Sequence, residues 1–211
     1  MPSATIVFDL DDTLVKEIDY LKSAFREIAS DAGNIGLYDQ MMEWYYAKQN
    51  VFGNLEEQLG KPVKERFRQL YRNHFPDFDK QSVNRDLLLE LKSEGFKVGM
   101  VTDGYSVTQR NKLRALDIED IFDLVIVSEE FGSTKPDERN FAVFHQFNTD
   151  RYFYVSDNVA KDFIAPNSLG WTTICLIDDG NNIHPQDFDR EPQYLPHFKV
   201  GHLQEIRNYI H

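Results

Sequence analysis

The stretch Thr5-Ile6-Val7-Phe8-Asp9-Leu10-Asp11-Asp12-Thr13 decides how the rest of the chain is read. Its first four residues are β-branched or aromatic, mostly apolar and without a break, the pattern of a short strand covered on both faces. Three carboxylates crowd its end. Like charges converging on a point resist ionisation unless a cation sits between them, and hard oxygen donors with room for water suit Mg²⁺. Asp9 and Asp11 lie two apart, so continued strand geometry sends both to one side with Leu10 turned away. One can then hold the metal and attack while the other moves protons.

Working outward, residues 16 to 86 change character. Tyr20, Leu21, Ala24, Phe25, Ile28 and Ala29 recur at helical spacing, with Gly33 as a terminator, and a second helical stripe runs through Val63, Phe67, Leu70 and Tyr71. Between them lie Trp44, Tyr45, Tyr46 and Phe52, which read as helix core. No strand is expected here, so the block reads as a helical insertion. From Leu87 the chain alternates: strands at 97–101, 124–127, 152–155 and 173–176 are separated by helices near 106–116, 138–147 and 162–169. That rhythm predicts βαβ units around a parallel sheet. Residues 178–197 carry turn chemistry and are expected to wrap the surface, before a short strand at 198–200 and a helix at 203–210.

In an open parallel sheet, ligands bind outside the carboxyl ends of the strands, so the polar residues there are the candidate site. They are Asp9, Asp11 and Thr13 after the first strand, Thr102 and Asp103 after the second, Ser128 leading to Lys135 after the third, and Asp157 after the fourth. Together they predict one anionic pocket with one fixed cation. A carboxylate attacks another anion only when charge is neutralised, which Mg²⁺ and the Lys135 ammonium are suited to do. Phosphoryl transfer to Asp9 is the chemistry this arrangement fits.

At these residues the chain resembles the haloacid dehalogenase superfamily, whose phosphatases carry four short motifs in fixed order. Asp9, Asp11 and Thr13 match the first motif, Thr102 the second, Lys135 before Pro136 the third, and Asp157 with Asp162 the fourth. Ser156 stands where the family usually has glycine. The resemblance implies Asp9 as nucleophile and metal ligand, and Asp11 as general acid and base, ligating metal through its backbone carbonyl. It further implies that Thr102 and the backbone N–H of Asp103 bind a phosphoryl oxygen, that Lys135 steadies nucleophile and transferring group, and that Asp157 ligates Mg²⁺. Asp162 is left between metal support and the cap of the following helix. The implied fold is α/β, a Rossmann-like parallel sheet in three layers (residues 1–15 and 87–211) with a small all-helical cap (16–86).

The implied activity is a Mg²⁺-dependent phosphomonoesterase acting on a small phosphorylated metabolite, a sugar phosphate or nucleoside monophosphate. A phosphomutase, or a silent subunit binding a phosphometabolite, shares the same motifs. Asp11 speaks against carbon–halogen displacement, which needs no alcohol protonated. Composition narrows the field further. The 211 residues carry a formal net charge of −12 with no basic run, which argues against nucleic-acid or anionic-membrane partners. No apolar stretch reaches the roughly 18 residues of a membrane span, and no charged leader precedes the first strand, so a cytoplasmic protein is expected. The single cysteine, Cys175, reads as a buried thiol. No histidine has a spaced partner for zinc or nucleophilic catalysis, and there is no Gly-x-x-x-x-Gly-Lys loop. Lys16, just after the first motif, is a candidate to approach the pocket, with no local signal that places it there. The cap basics, among them Arg68 and Arg72, read mostly as solvated.

Overall fold

A computed structural model describes residues 4–79 and 84–210. Five apolar runs and a short sixth become strands: β1 (Ala4–Phe8), β2 (Lys97–Thr102), β3 (Leu124–Val127), β4 (Arg151–Ser156), β5 (Thr172–Leu176) and β6 (Phe198–Val200). They form one sheet in the order β3-β2-β1-β4-β5-β6, every adjacent pair parallel. Alternation along β1 divides two apolar layers. Ile6 and Phe8 join Val98, Met100, Val155 and Ile174 on one face, whereas Val7 joins Val101, Tyr154 and Cys175 on the other.

Helices cover both faces. α5 (Arg85–Ser93) supplies Leu87, Leu88 and Leu91 to the first layer, and α6 (Ser106–Ala115) supplies Leu113. α7 (Ser128–Phe131) follows β3 directly, α8 (Arg139–Ala142) brings Phe141 to the second layer, and α9 (Ile164–Ser168) brings Ala165. Gly99 in β2 has a packing reason, because a Cβ there would stand 2.2 Å from the Phe144 ring. This is the expected three-layer α/β fold.

Two helical expectations need correction. The segment 138–147 is α-helical only to Ala142 and continues as a 3₁₀ turn from Val143 to Phe147. Residues 203–210 likewise form a 3₁₀ turn, Leu203–Asn208. Both carry apolar residues every third position: Phe141, Phe144 and Phe147 in one, Leu203, Ile206 and Tyr209 in the other. Three residues per turn stacks such a series on a single ridge, which an α-helix would rotate away from the sheet.

Between β1 and α5 lie α1 (Glu17–Asp31), α2 (Leu37–Tyr46), α3 (Val51–Leu59) and α4 (Lys64–Asn73), with no strand among them; residues 80–83 of the expected insertion lie outside the described residues. The α1 helix serves two cores. Tyr20 and Ala24 join the sheet layer, whereas Leu21, Phe25 and Ile28 meet Leu37, Met41, Leu55 and Phe67 in a cluster belonging to the helices alone. Each such side chain fully buried contributes about 1.5–3 kcal/mol. Gly33, at φ 70, follows the end of α1 as expected. Trp44, Tyr45 and Phe52 pack against this cluster, but Tyr46 is 65% exposed.

The end of α4 is seated on α6 and α1. Thr108 Oγ1 donates to the carbonyl of Arg72 at 2.8 Å, Asn111 Nδ2 to those of Asn73 and His74 at 3.0 Å, and the Tyr20 hydroxyl to that of Tyr71 at 2.5 Å. These carbonyls have no partner within the helix, so side chains from elsewhere satisfy them. Buried His74 completes the joint through Ser23 and Glu27.

Candidate active site

Strand order reverses at β1: the chain goes to β2 on one side and to β4 on the other. Parallel sheets open a crevice at such a point, above the carboxyl ends. Phe8 pairs with Met100 and Val155, and the N–H of Asp9 donates to the Val155 carbonyl at 2.9 Å, so Asp9 continues the ladder by one residue. Thr102 ends β2, and Asp157 follows β4. A cavity of about 680 Å³ opens there, lined by Asp9, Asp11, Thr102, Asp103, Lys135 and Asp157. Thr13 and Ser128 stand behind it, Thr13 Oγ1 3.5 Å from Asp157 Oδ1 and Ser128 Oγ accepting the N–H of Gly104 at 2.9 Å.

Lys135 is buried with its Nζ 2.8 Å from Asp9 Oδ1 and 2.8 Å from Asp162 Oδ2. Burial works to lower its pKa, but Asp162 and Asp9 outweigh that and hold the ammonium well above its ordinary value. Asp162 is completely buried and does not cap α9, whose first turn has no side-chain cap. It serves instead as counter-ion to Lys135. The Ser156 hydroxyl donates to the same carboxylate, which gives the serine in the family's glycine place a task. The Tyr154 hydroxyl closes the cluster, 3.3 Å from Lys135 Nζ.

Within the protein each of the three acids after β1 has a different partner. The strand stops at Phe8, and each carboxylate finds its own partner. Asp9 takes Lys135. Asp11 accepts from Lys112 Nζ at 2.6 Å and from Gln109 Nε2 at 3.1 Å, both on α6. Asp12, at φ 55, accepts the backbone N–H groups of Glu17 and Ile183, each at 2.9 Å, so it works at the start of α1. The pocket also has more than one cation, because Lys112, Lys161, Arg68 and Arg72 line it together with Lys135. Lys16 points elsewhere, to Asp179 and Asn182.

Asp103 holds the loop between these parts. Its Oδ1 accepts the N–H of Lys135 at 3.0 Å, and Oδ2 pairs with Lys161. Gly104 has φ 144, and a Cβ there would stand 2.6 Å from Gln109 Nε2, the amide that also donates to the Asp103 carbonyl. Glycine at this position is what lets Gln109 reach past to Asp11. The Thr102 hydroxyl is buried, lines the cavity and has no hydrogen-bond partner among the described residues. A buried hydroxyl left so is costly unless a ligand uses it.

Sequence reasoning missed the inner face of α6 and the role of residues 178–197. That segment has no regular element before a 3₁₀ turn at Pro192–Tyr194, yet it closes one wall of the site. Asn182 Nδ2 donates to Asp157 Oδ2 at 3.0 Å, and Gln186 Nε2 donates to the Asp157 carbonyl at 2.8 Å. Gly180 and the Asp/Asn run signalled a turn correctly, but nothing local said that the turn folds back on Asp157.

Asp9 and Asp157 remain as two buried carboxylates lining one cavity. Burial, opposed by Lys135 and reinforced by Asp162, pushes Asp9 up to about 7; burial and then the charge of Asp9 push Asp157 up to about 8. Among the described residues no group of three His, Cys, Asp or Glu side chains stands ready for a metal. Two carboxylates with the main-chain carbonyl of Asp11 make a different set, all hard oxygens. A divalent cation there would offset the burial that raises both carboxyls and the charge of Asp9 that raises Asp157 further. The donor chemistry therefore fits Mg²⁺.

The family model for haloacid dehalogenase-like hydrolases matches residues 6–176. The chain belongs to that family. It is 27% identical to a glyceraldehyde 3-phosphate phosphatase of Methanocaldococcus jannaschii, over 95% of this chain and 94% of that one. It is 28% identical to a phosphoglycolate phosphatase of Aquifex aeolicus over 62% and 63% of the two chains. The fold matches that of the hydrolase YfnB from Bacillus subtilis, in a magnesium-bound crystal structure, with a TM-score of 0.70 at 19% identity, covering 100% and 99% of the chains. Among the described residues no helix is long and apolar enough to cross a membrane.

Proposed function

We propose that the chain is a Mg²⁺-dependent phosphomonoester hydrolase that works through an aspartyl-phosphate on Asp9, with α1 to α4 as a cap over the site. The observation that carries this reading is one cavity in which buried Asp9 is paired with Lys135 while the Thr102 hydroxyl stands unpartnered beside them. A carboxylate oxygen of Asp9 attacks phosphorus, and the bond from phosphorus to the ester oxygen breaks. Asp11, protonated for this step, gives its proton to the leaving alcohol. Water then loses a proton to Asp11 and attacks the same phosphorus, and the bond to Asp9 breaks to release inorganic phosphate. Lys135 and the Thr102 hydroxyl donate to phosphoryl oxygens, contributions of a kind worth about 2.7–4 kcal/mol each where they strengthen in the transition state.

Asp9, Asp157 and the Asp11 carbonyl are the groups that would hold Mg²⁺, which when bound supplies charge neutralisation for the anion-on-anion attack. Relatives that act on glyceraldehyde 3-phosphate, phosphoglycolate and pyrimidine 5′-nucleotides support a small phosphorylated metabolite as substrate. The test is phosphate release across sugar phosphates and nucleotides with and without Mg²⁺, for the wild type and Asp9→Asn. Turnover is expected to fall by about a thousandfold or more in the variant with the fold intact. Activity within tenfold of wild type removes Asp9 as nucleophile.

A further inference from the structure

The cap side of the cavity carries two arginines that the hydrolytic steps do not use. Arg68 and Arg72 lie four residues apart on α4, so they share a helix face, and both line the cavity half-buried. Neither has a carboxylate partner among the described residues. The chain holds 35 acidic against 23 basic residues, and Arg66, Arg85, Arg110, Arg139 and Arg207 each hold a carboxylate. Arg26, which also lacks one, is exposed and stacked over Tyr38 outside the cavity. Arg72 is fixed without being neutralised: its guanidinium lies 4.3 Å from the ring centroid of Tyr105, on the loop after β2. Stacking of that kind leaves the in-plane N–H donors free for a planar or tetrahedral anion.

At the sheet's edge the lysines are already taken. Asp9 has Lys135, Asp11 has Lys112 and Asp103 has Lys161. Phe52, Tyr71 and Tyr105 line the same cavity as the arginines of α4. We infer that Arg68 and Arg72 form a second anion subsite, so that the preferred substrates are phosphomonoesters bearing another anionic group, a carboxylate or second phosphate, at the end away from the scissile bond. This rests on the phosphatase reading and narrows it. A phosphorylated acid or bisphosphate is then a better substrate than glyceraldehyde 3-phosphate, whose far end is neutral. Two guanidiniums that hold the far end equally in ground and transition states act chiefly on KM.

The test uses matched substrates of two to five carbons: ω-carboxyalkyl phosphates, α,ω-alkanediol bisphosphates and, as the neutral arm, ω-hydroxyalkyl phosphates, each with Mg²⁺. At one chain length or more, kcat/KM for a charged arm is expected to exceed the neutral arm by about tenfold or more, and the better charged arm tells carboxylate from phosphate. In the Arg68→Ala/Arg72→Ala double variant that ratio falls to within about threefold of one, through a rise in KM for the charged substrate. A wild-type ratio near one at every length, or a ratio unchanged in the variant, overturns the subsite and leaves the phosphatase reading standing, because the neutral arm is still hydrolysed. Failure of all three arms to release phosphate overturns both.

Discussion

Lys135→Met replaces the buried ammonium with an uncharged side chain of similar length and leaves two carboxylates behind. The lost contacts are 2.8 Å to Asp9 and 2.8 Å to Asp162, whose side chains are 9% and 0% exposed. Deleting one partner of a buried pair costs about 3–5 kcal/mol, since the remaining charge keeps its desolvation penalty and loses its compensation. Here two charges are stranded, so a loss at the upper end, about 5 kcal/mol, is expected at pH 8. The quickest relief is a proton. Burial already pushes Asp9 up to about 7 with Lys135 working against it, so its carboxyl rises further in the variant. A carboxyl whose folded pKa lies above its unfolded value of about 3.9 loses stability as pH rises, until the folded pKa is passed. The deficit of the variant is therefore largest at pH 8 and shrinks on acidification, by at most about 1.4 kcal/mol per pH unit for each carboxyl. Urea unfolding of both proteins without metal at pH 8 and pH 5.5, with m-values compared, reads it directly. A deficit below about 1 kcal/mol at pH 8, or one that is no smaller at pH 5.5, refutes the reasoning.

Other expectations can be checked with the same protein. Asp157, at about 8 through burial and then Asp9, makes the metal-free wild type less stable as pH rises from 5.5 to 7.5, by about 1.4 kcal/mol per unit, so Mg²⁺ should raise Tm more at pH 8 than at pH 6; equal shifts at both would count against Asp157 as a ligand. Lys112→Met should lower kcat for phosphate release by about tenfold or more, because Asp11 loses the cation 2.6 Å away that sets its position; unchanged kcat in a folded variant removes Lys112 from that role. Cys175 is fully buried and its thiol is pushed up to about 12 by burial, so it should resist alkylation at pH 8 until denaturant is added.

The sheet was readable because its strands are covered on both faces and so appear as unbroken apolar runs, and because each ends in a polar residue that the topology brings to one edge. Asp9, Thr102, Lys135 and Asp157 followed from that. What stayed hidden was the company these residues keep. Thr108, Gln109, Asn111 and Lys112 are polar at helical spacing, which in sequence is the mark of a solvated face, yet all four are buried. Lys112 buries its ammonium against Asp11 and 4.6 Å from the centroid of the Tyr20 ring, contacts set by residues about a hundred positions away in the chain. That Arg68 and Arg72 of α4 line the cavity was hidden for the converse reason. Charge and spacing do not reveal which helix face a distant loop will enclose, and Tyr105 comes from such a loop.

The α6 helix has a mechanical consequence of its own. Thr108 and Asn111 grip the last turn of α4, and Gln109 and Lys112, on the adjoining positions, clasp Asp11. One short rod thus joins α4 to the proposed proton carrier. On the proposed mechanism, a tilt of α4 would pull on the rod that steadies Asp11, so that access and acid placement would be geared together instead of being adjusted separately.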